Sequence, residues 1–281
     1  MDIFLAVERA FHLIPQISLE VARDRLEQKK VGLVSGTLGA LIARPKPEDI
    51  QIVSFESRLE AFWLINVLVR TVYERNKTYT IQVSGPEVQH VTALGQDLPV
   101  TVLPKGGASI ALAGVEHCLE ERQDSFTFDG MGTKTDLSKY LAFAKSEIAD
   151  LGQFAPAGVL VVPPQAHATT VIRTVMAEVI KPVQAQKIHE ERVNVETLDI
   201  NFRPVYAFEY EWATKGKRVV LEFDGLTGEV HSGGKKQAGQ IKGMLTRDLI
   251  FDVTADAAGL IVPGGSIAVK LVKAAMDRGK H

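Results

Sequence analysis

The chain predicts an α+β fold of two related helix-on-antiparallel-sheet modules joined by a helical connector, and three observations carry that expectation. The first is the stretch 217–230. Val219, Leu221 and Phe223 repeat there with period two, Asp224-Gly225 makes a bend, and a short second strand leaves through Glu229 and Val230. The second is a weaker copy of that pattern. Residues 61–65, around Trp63, are followed by 73–83 and by Glu87-Val88, much as 204–208, around Tyr206, are followed by 215–223 and by Glu229-Val230. The third is an echo at constant offset, in which Leu160, Pro163, Ile172 and Met176 answer to Leu260, Pro263, Val272 and Met276. The boundaries that follow are 1–105 for the first helix-plus-sheet module, 106–155 for the helical connector, and 156–281 for the second module with its C-terminal helix.

In chain order, Phe4, Val7, Ala10 and Phe11 fall on one face of a helix over 3–13, which Pro15 stops. Ser18 caps a second helix that carries Leu19, Val21, Ala22 and Leu26 and ends near Lys30. Residues 31–43, with Gly32, Gly36 and Gly39, read as a glycine-punctuated buried strand or hairpin. At about 1.5 Å per helical residue they fall short of a hydrocarbon core of about 30 Å. Strands are expected at 49–55, 62–70, 78–83 and 88–94.

A helix over 108–122 rests on Ile110, Leu112, Ala113, Val115 and Leu119. Another over 137–151, capped by Asp136 and ended by Gly152, rests on Leu141, Ala144, Ile148 and Leu151. These two make the connector. The second half opens at 157–164, enters a helix over 167–180, and resumes helix after Pro182 as far as 191. Extended segments at 193–201, 205–212, 218–223 and 229–232 close it.

With 281 residues, 46% of them hydrophobic and 23% charged, the chain has the composition of an ordinary globular protein with a sizeable core. A net charge of −2 supplies no field to draw in phosphate backbones. The aromatic run Tyr206, Phe208, Tyr210 and Trp212 is interleaved with Glu209 and Glu211, so it reads as packing, and no nucleic-acid partner is expected. Cys118 is the single cysteine, which excludes an internal disulfide and a multi-thiolate zinc site. The first residues show neither a basic leader nor an unbroken apolar centre, and the expectation is a cytoplasmic protein without a transmembrane segment.

The chemistry-bearing patterns are sparse. Gly233-Gly234-Lys235-Lys236, with Lys242 beyond it, and Lys105 next to Gly106-Gly107 are the candidate ligand-binding residues, since backbone N–H groups and ammonium charges suit a phosphate. Gln237 after Lys236 breaks the Walker pattern, and a solvated turn is the plainer reading. His117 beside Cys118 on a helix points the wrong way for a thiol–imidazole pair. His189 with Glu190 and Glu191 reads as a wet helix end. Glu209 and Glu211, and Glu222 and Asp224, share strand faces. The polar outside of a sheet, balanced by Lys215, Lys217 and Arg218, explains them without acid–base chemistry. No catalytic residue, metal or cofactor is expected.

Asp224, Thr227, Gly228, Glu229 and Val230 resemble the closing signature of PepSY-like domains, and Ser18 with the helix after it is similar to their opening helix. Within that turn Asp224-Gly225 makes the bend and Gly228 takes the positive dihedral. The resemblance implies a cystatin-like helix on a sheet and a role in contacting a peptidase or another protein. Its members are mostly exported or membrane-linked, and this chain departs from them in showing no export signal. The functional expectation is a non-catalytic cytoplasmic binding or assembly protein, engaging a protein partner or itself through exposed strand edges. The alternative is a phosphate-containing small-molecule binding protein or enzyme that uses the Gly-Lys loops.

Overall fold

The computed structural model describes residues 1–43, 45–85, 87–102, 107–234, 245–251 and 270–273. Its strands are β1 (Asp2–Leu5), β2 (Glu8–Leu13), β3 (Ile50–Val83), β4 (His90–Ala93), β5 (Gln96–Pro99), β6 (Thr101–Val102), β7 (Ala108–Asp129), β8 (Lys145–Glu147), β9 (Leu160–Val162), β10 (Lys187–Trp212), β11 (Lys217–Asp224), β12 (Val230–Ser232) and β13 (Lys270–Lys273). The α-helices are α1 (Leu19–Ala43), α2 (Ala168–Val179) and α3 (Arg247–Phe251).

Among the described residues eleven strands form one mixed sheet, and β4 and β5 form a separate hairpin. Strand β3 runs for 34 residues, roughly 110 Å of contour at about 3.3 Å each, far beyond the usual strand of 3–10 residues. Its neighbours are antiparallel β10 from Ile50 to Glu74 and antiparallel β7 from Phe62 to Val83. The far edge of β10 is tiled in turn by β1 and β2, both parallel, and by antiparallel β11. Register shifts near Glu196, His189 and Val53 let ladders of this length coil, because each extra residue adds local twist.

One face of this sheet carries the core. Val171, Ile172, Val175, Met176 and Val179 line one stripe of α2 and bury against Trp63, Ile65, Val67, Phe126, Phe128 and Val193. Trp63 is fully buried, meets the Phe251 ring edge-on at 5.5 Å, and donates its indole N–H to the Ala166 carbonyl at 3.1 Å. At the other end Ala22, Leu26 and Val34 of α1 cover Tyr206, Phe208, Tyr210, Leu221 and Phe223. Helix α1 is interrupted at Gly36, whose φ of 69° only glycine adopts freely. Lys217 donates to the Val34 carbonyl beside the break at 3.0 Å.

The expected two-module architecture is overturned: the protein is mostly β, with one large mixed sheet and, among the described residues, no helical connector. The first and last parts of the chain pair with each other, β1 with β10 and β3 with β10 along most of their lengths, and one core cluster runs from Ile3 to Phe251. The apparent copy dissolves as well, since 61–83 lies within one unbroken strand while 204–223 turns a corner between β10 and β11. Of the echo's second half, Leu260, Pro263 and Met276 lie outside the described residues, while Val272 falls in strand β13 where Ile172 is helical, so the expected C-terminal helix is a strand at Lys270–Lys273.

Several elements change type for the same reason. Residues 3–13 are β1 and β2, because the open edge of β10 offers ladder hydrogen bonds. Residues 31–43 continue α1 instead of forming a strand. Residues 108–122 belong to β7, where 22 residues pair with β3. The span 137–151 breaks into a turn of 3-10 helix (Ser138–Ala142), β8 on β2, and the start of a second such turn (Leu151–Gln153). Asp136 closes a local turn on the Ser138 N–H rather than capping a helix. The helix expected after Pro182 is the start of β10.

Candidate functional site

Two regions concentrate functional side chains, and they differ in kind. On the sheet face opposite α1, residues Glu56, Arg58 and Glu60 of β3 lie beside Arg203 and Ala207 of β10, with Glu222 and Asp224 of β11 beyond. Arg58 is only 2% exposed and donates to Glu60 at 2.7 Å and to Glu222 at 2.5 Å. Arg203 donates to Glu60 at 2.7 Å and to Asp224 at 2.6 Å, and Tyr140 donates its phenol O–H to the same Asp224 oxygen at 2.5 Å.

Burial works to lower the pKa of both guanidiniums, but the surrounding carboxylates, Glu60 foremost, outweigh it and leave both raised. Burial likewise pushes the Asp224 carboxyl up. Hydrogen bonds from Tyr140 and from the Thr227 and Leu226 N–H groups, with Arg203 nearby, reverse that and hold it below the usual range. Burial dominates at Tyr140 and drives its phenol up. Tyr140, 3% exposed, is held between the Asp224 carboxylate and the Arg203 guanidinium. The cluster ties β3, β10 and β11 to the segment that carries Tyr140. Of the four acids expected on the wet outside of the sheet, Glu211 is partly exposed and balanced by Arg218 at 3.2 Å, but the others are drawn inward. Glu222 and Asp224 are built into buried ion pairs, and Glu209 accepts from Ser54 at 2.8 Å.

The second region is where β3 and β7 leave the sheet. Past Glu74 strand β10 no longer accompanies β3, and 75–83 with 108–116 continue as a two-stranded ribbon whose tip carries the β4–β5 hairpin. Cross-strand pairs hold its side chains: Arg75 donates to Glu116 at 2.5 Å, Tyr79 to the same carboxylate at 2.9 Å, and Tyr73 to Glu120 at 2.7 Å. The hydrogen bond to Glu120, aided by burial, pushes the Tyr73 phenol up to about 12. The tip hairpin turns through Leu94 at φ 52° and Gly95 at φ 75°, and Leu94 is 86% exposed despite its left-handed backbone.

At the ribbon's base lies a groove of about 780 Å³, with Val69, Thr71 and Tyr73 as floor, Glu120 and Arg122 on one side, and the segment after α2 on the other. Arg122 donates to the Val179 carbonyl at 2.9 Å and ties that wall to β7. Along β7, residues 112–126 face no further strand among the described residues. β6 reaches only Ser109, and the segment that bridges Phe128 through Lys134 first meets β7 at Thr127, whose carbonyl accepts from the Thr135 N–H at 3.1 Å.

Lys105, Lys235, Lys236 and Lys242 lie outside the described residues. The glycines leading into that loop are described as far as Gly234, where a Cβ would run into the Glu222 carboxylate. The turn after β11 is tight: Asp224 accepts from the Leu226 and Thr227 N–H groups at 2.9 Å, Gly225 packs on Pro204, and Gly228 stands at φ 76°. His117 and Cys118 lie next to each other on strand β7, so they point to opposite faces, and the thiol donates to the Glu116 carbonyl at 3.8 Å. His189 contacts Glu74 at 2.7 Å, on a strand rather than a helix end. Among the described residues no group of histidine, cysteine and acidic side chains is placed to hold a metal ion, and no helix is long and apolar enough to cross a membrane.

Sequence reasoning missed the ribbon and the groove. The period-two run Tyr73, Arg75, Lys77, Tyr79, Ile81 was the available signal, with charges and aromatics where a buried strand has aliphatics. Comparison with family models, with curated proteins and with solved structures finds no match to this chain.

Proposed function

We propose that the protein is a non-catalytic cytoplasmic binding or assembly component that adds an extended polypeptide segment to the open edge of β7, beside the groove. The observation that carries this reading is the edge over 112–126, unpaired among the described residues, a row of backbone donors and acceptors flanked by exposed Val115, Leu119 and Gln123. An edge of this length is a template for strand addition, with main-chain hydrogen bonds giving affinity and the groove giving side-chain selectivity. Leu94, held exposed at the arm's tip in a conformation leucine disfavours, supports the same reading. The free thiol of Cys118 suits a reducing compartment.

A photo-crosslinking residue at Gln123 tests it in the cell of origin. A discrete polypeptide adduct is expected there, and none from the same residue at exposed Met131, which lies off the edge. Proline at Val115 should abolish the adduct, because proline removes a ladder donor. Equal, diffuse labelling from both positions would remove the reading.

A further inference from the structure

We infer that the segment accepted by the β7 edge is the same edge of a second copy, paired antiparallel about a two-fold axis at Leu119. This rests on the strand-addition reading above and specifies its partner. A two-fold axis normal to the sheet keeps even-numbered β7 residues on one face in both copies, so the axis must pass through a residue rather than between two. The central registers can then be compared by charge alone. Axes at Cys118 or Glu120 oppose like charges, Glu116 to Glu120 in the first case, and Glu116 to Asp124 with Glu120 to itself in the second. An axis at Glu121 sets that carboxylate against its own copy. One at His117 sets Arg122 opposite Leu112 and Asp124 opposite Ile110.

The axis at Leu119 does neither. It opposes Arg122 to Glu116, Glu121 to His117, Gln123 to Val115, Ser125 to Ala113 and Phe126 to Leu112, with Leu119 meeting itself, and leaves Glu120 opposite Cys118 and Asp124 opposite Gly114. Arg122 and Glu116 are of opposite sign, no like charges meet, and Leu119 and Phe126 meet apolar partners. The pairing spans the stretch that the Lys134 bridge and β6 leave open. The side chains concerned are accessible: Leu119 is 58% and Val115 52% exposed. The other ribbon edge has no such symmetry, since over 75–83 β3 carries Arg75 and Lys77 without an acid. In the dimer the two grooves would lie on one continuous face, related by the axis.

Residues opposed across antiparallel strands have Cα atoms roughly 4.5–5.5 Å apart, which a disulfide bridges. In a Cys118→Ser background, Leu119→Cys is expected to form a covalent dimer under mild oxidation. Val115→Cys and Gln123→Cys should each fail alone and link when mixed. Sedimentation of the unmodified protein should show a dimer, weakened at least tenfold by Arg122→Glu.

A monomer at all concentrations with no linkage at 119 overturns the inference. If the Gln123 photo-adduct is then a different polypeptide, the edge reading survives without it; if there is no adduct, both fall. A dimer in which the Val115→Cys variant links to itself as readily as the Leu119→Cys variant does also overturns it, because the axis would then lie elsewhere. Leu119 is exposed and points away from the core face, so loss of folding does not obscure the result.

Discussion

Near its start β3 carries Glu56, Arg58 and Glu60 into a layer where ionisable side chains are buried and paired across β10 and β11. Past Glu74 the same strand carries Arg75, Lys77 and Tyr79 into solvent with, among the described residues, only β7 beside it. In the first region Arg203, Tyr140 and Asp224 are hydrogen-bonded to one another inside the sheet. The second also carries many ionisable groups, Arg75, Glu116 and Glu120 among them, but its outer main chain meets no further strand among the described residues. A dense charge cluster is thus a poor guide to chemistry when its partners are all internal; unmet backbone hydrogen bonding is the better guide to where a partner sits.

Removing Arg58 breaks the comparison most directly. Arg58→Ala leaves Glu60 and Glu222 facing each other in the interior, and a loss of about 3–5 kcal/mol in denaturant unfolding is expected. A loss under about 1 kcal/mol would mean that the charged layer is wet. Next in size is Gly228→Val, expected to cost roughly 1–3 kcal/mol, because φ is 76° and a Cβ would crowd Ile17 and Arg25. An unchanged melting temperature would refute that placement. At the arm's tip the sign reverses: Leu94→Asn should stabilise by about 1 kcal/mol, since asparagine tolerates a left-handed backbone. Smallest of all, Leu119→Lys should alter unfolding of the dilute monomer by less than about 0.5 kcal/mol, which separates an edge kept for a partner from one kept for the fold.

Titration sharpens the same contrast. The Asp224 carboxyl is depressed in the folded protein, so its stabilisation is present above about pH 4 and fades as pH falls through the lowered value. Asp224→Asn should flatten the acid limb of a stability–pH profile. Tyr73 runs the other way. Its phenol is raised to about 12, so its stabilisation is present below about pH 10 and fades as pH climbs toward 12. Glu120→Gln should bring its ultraviolet titration down.

Much of the extended structure was legible residue by residue. Of the expected strands, 62–70 and 78–83 lie wholly in β3 and 49–55 does so from Ile50 on, and α2 occupies most of the span its apolar stripe marked. Their continuity was not legible, because polar runs at 56–60 and 71–77 look like loops until their partners are known. Those partners are remote: Glu60 meets Arg203 at a separation of 143 residues, and Arg58 meets Glu222 at 164. The periodicity of 108–122 and 3–13 fits a helix as well as a strand when taken alone.

What the amino-acid order determined by itself is local: the glycine-dependent turn at 224–229, the amphipathic face of α2, the single thiol, and the alternation that marks strands. The tertiary structure decided which alternating segments fuse, which helical patterns yield to a ladder, and where the ladder stops. The physical reason is that a strand's hydrogen bonds are made to another part of the chain, whereas a helix or a tight turn closes its own. The open edge of β7 follows from that rule, since only the assembled sheet reveals which backbone groups remain without a neighbour.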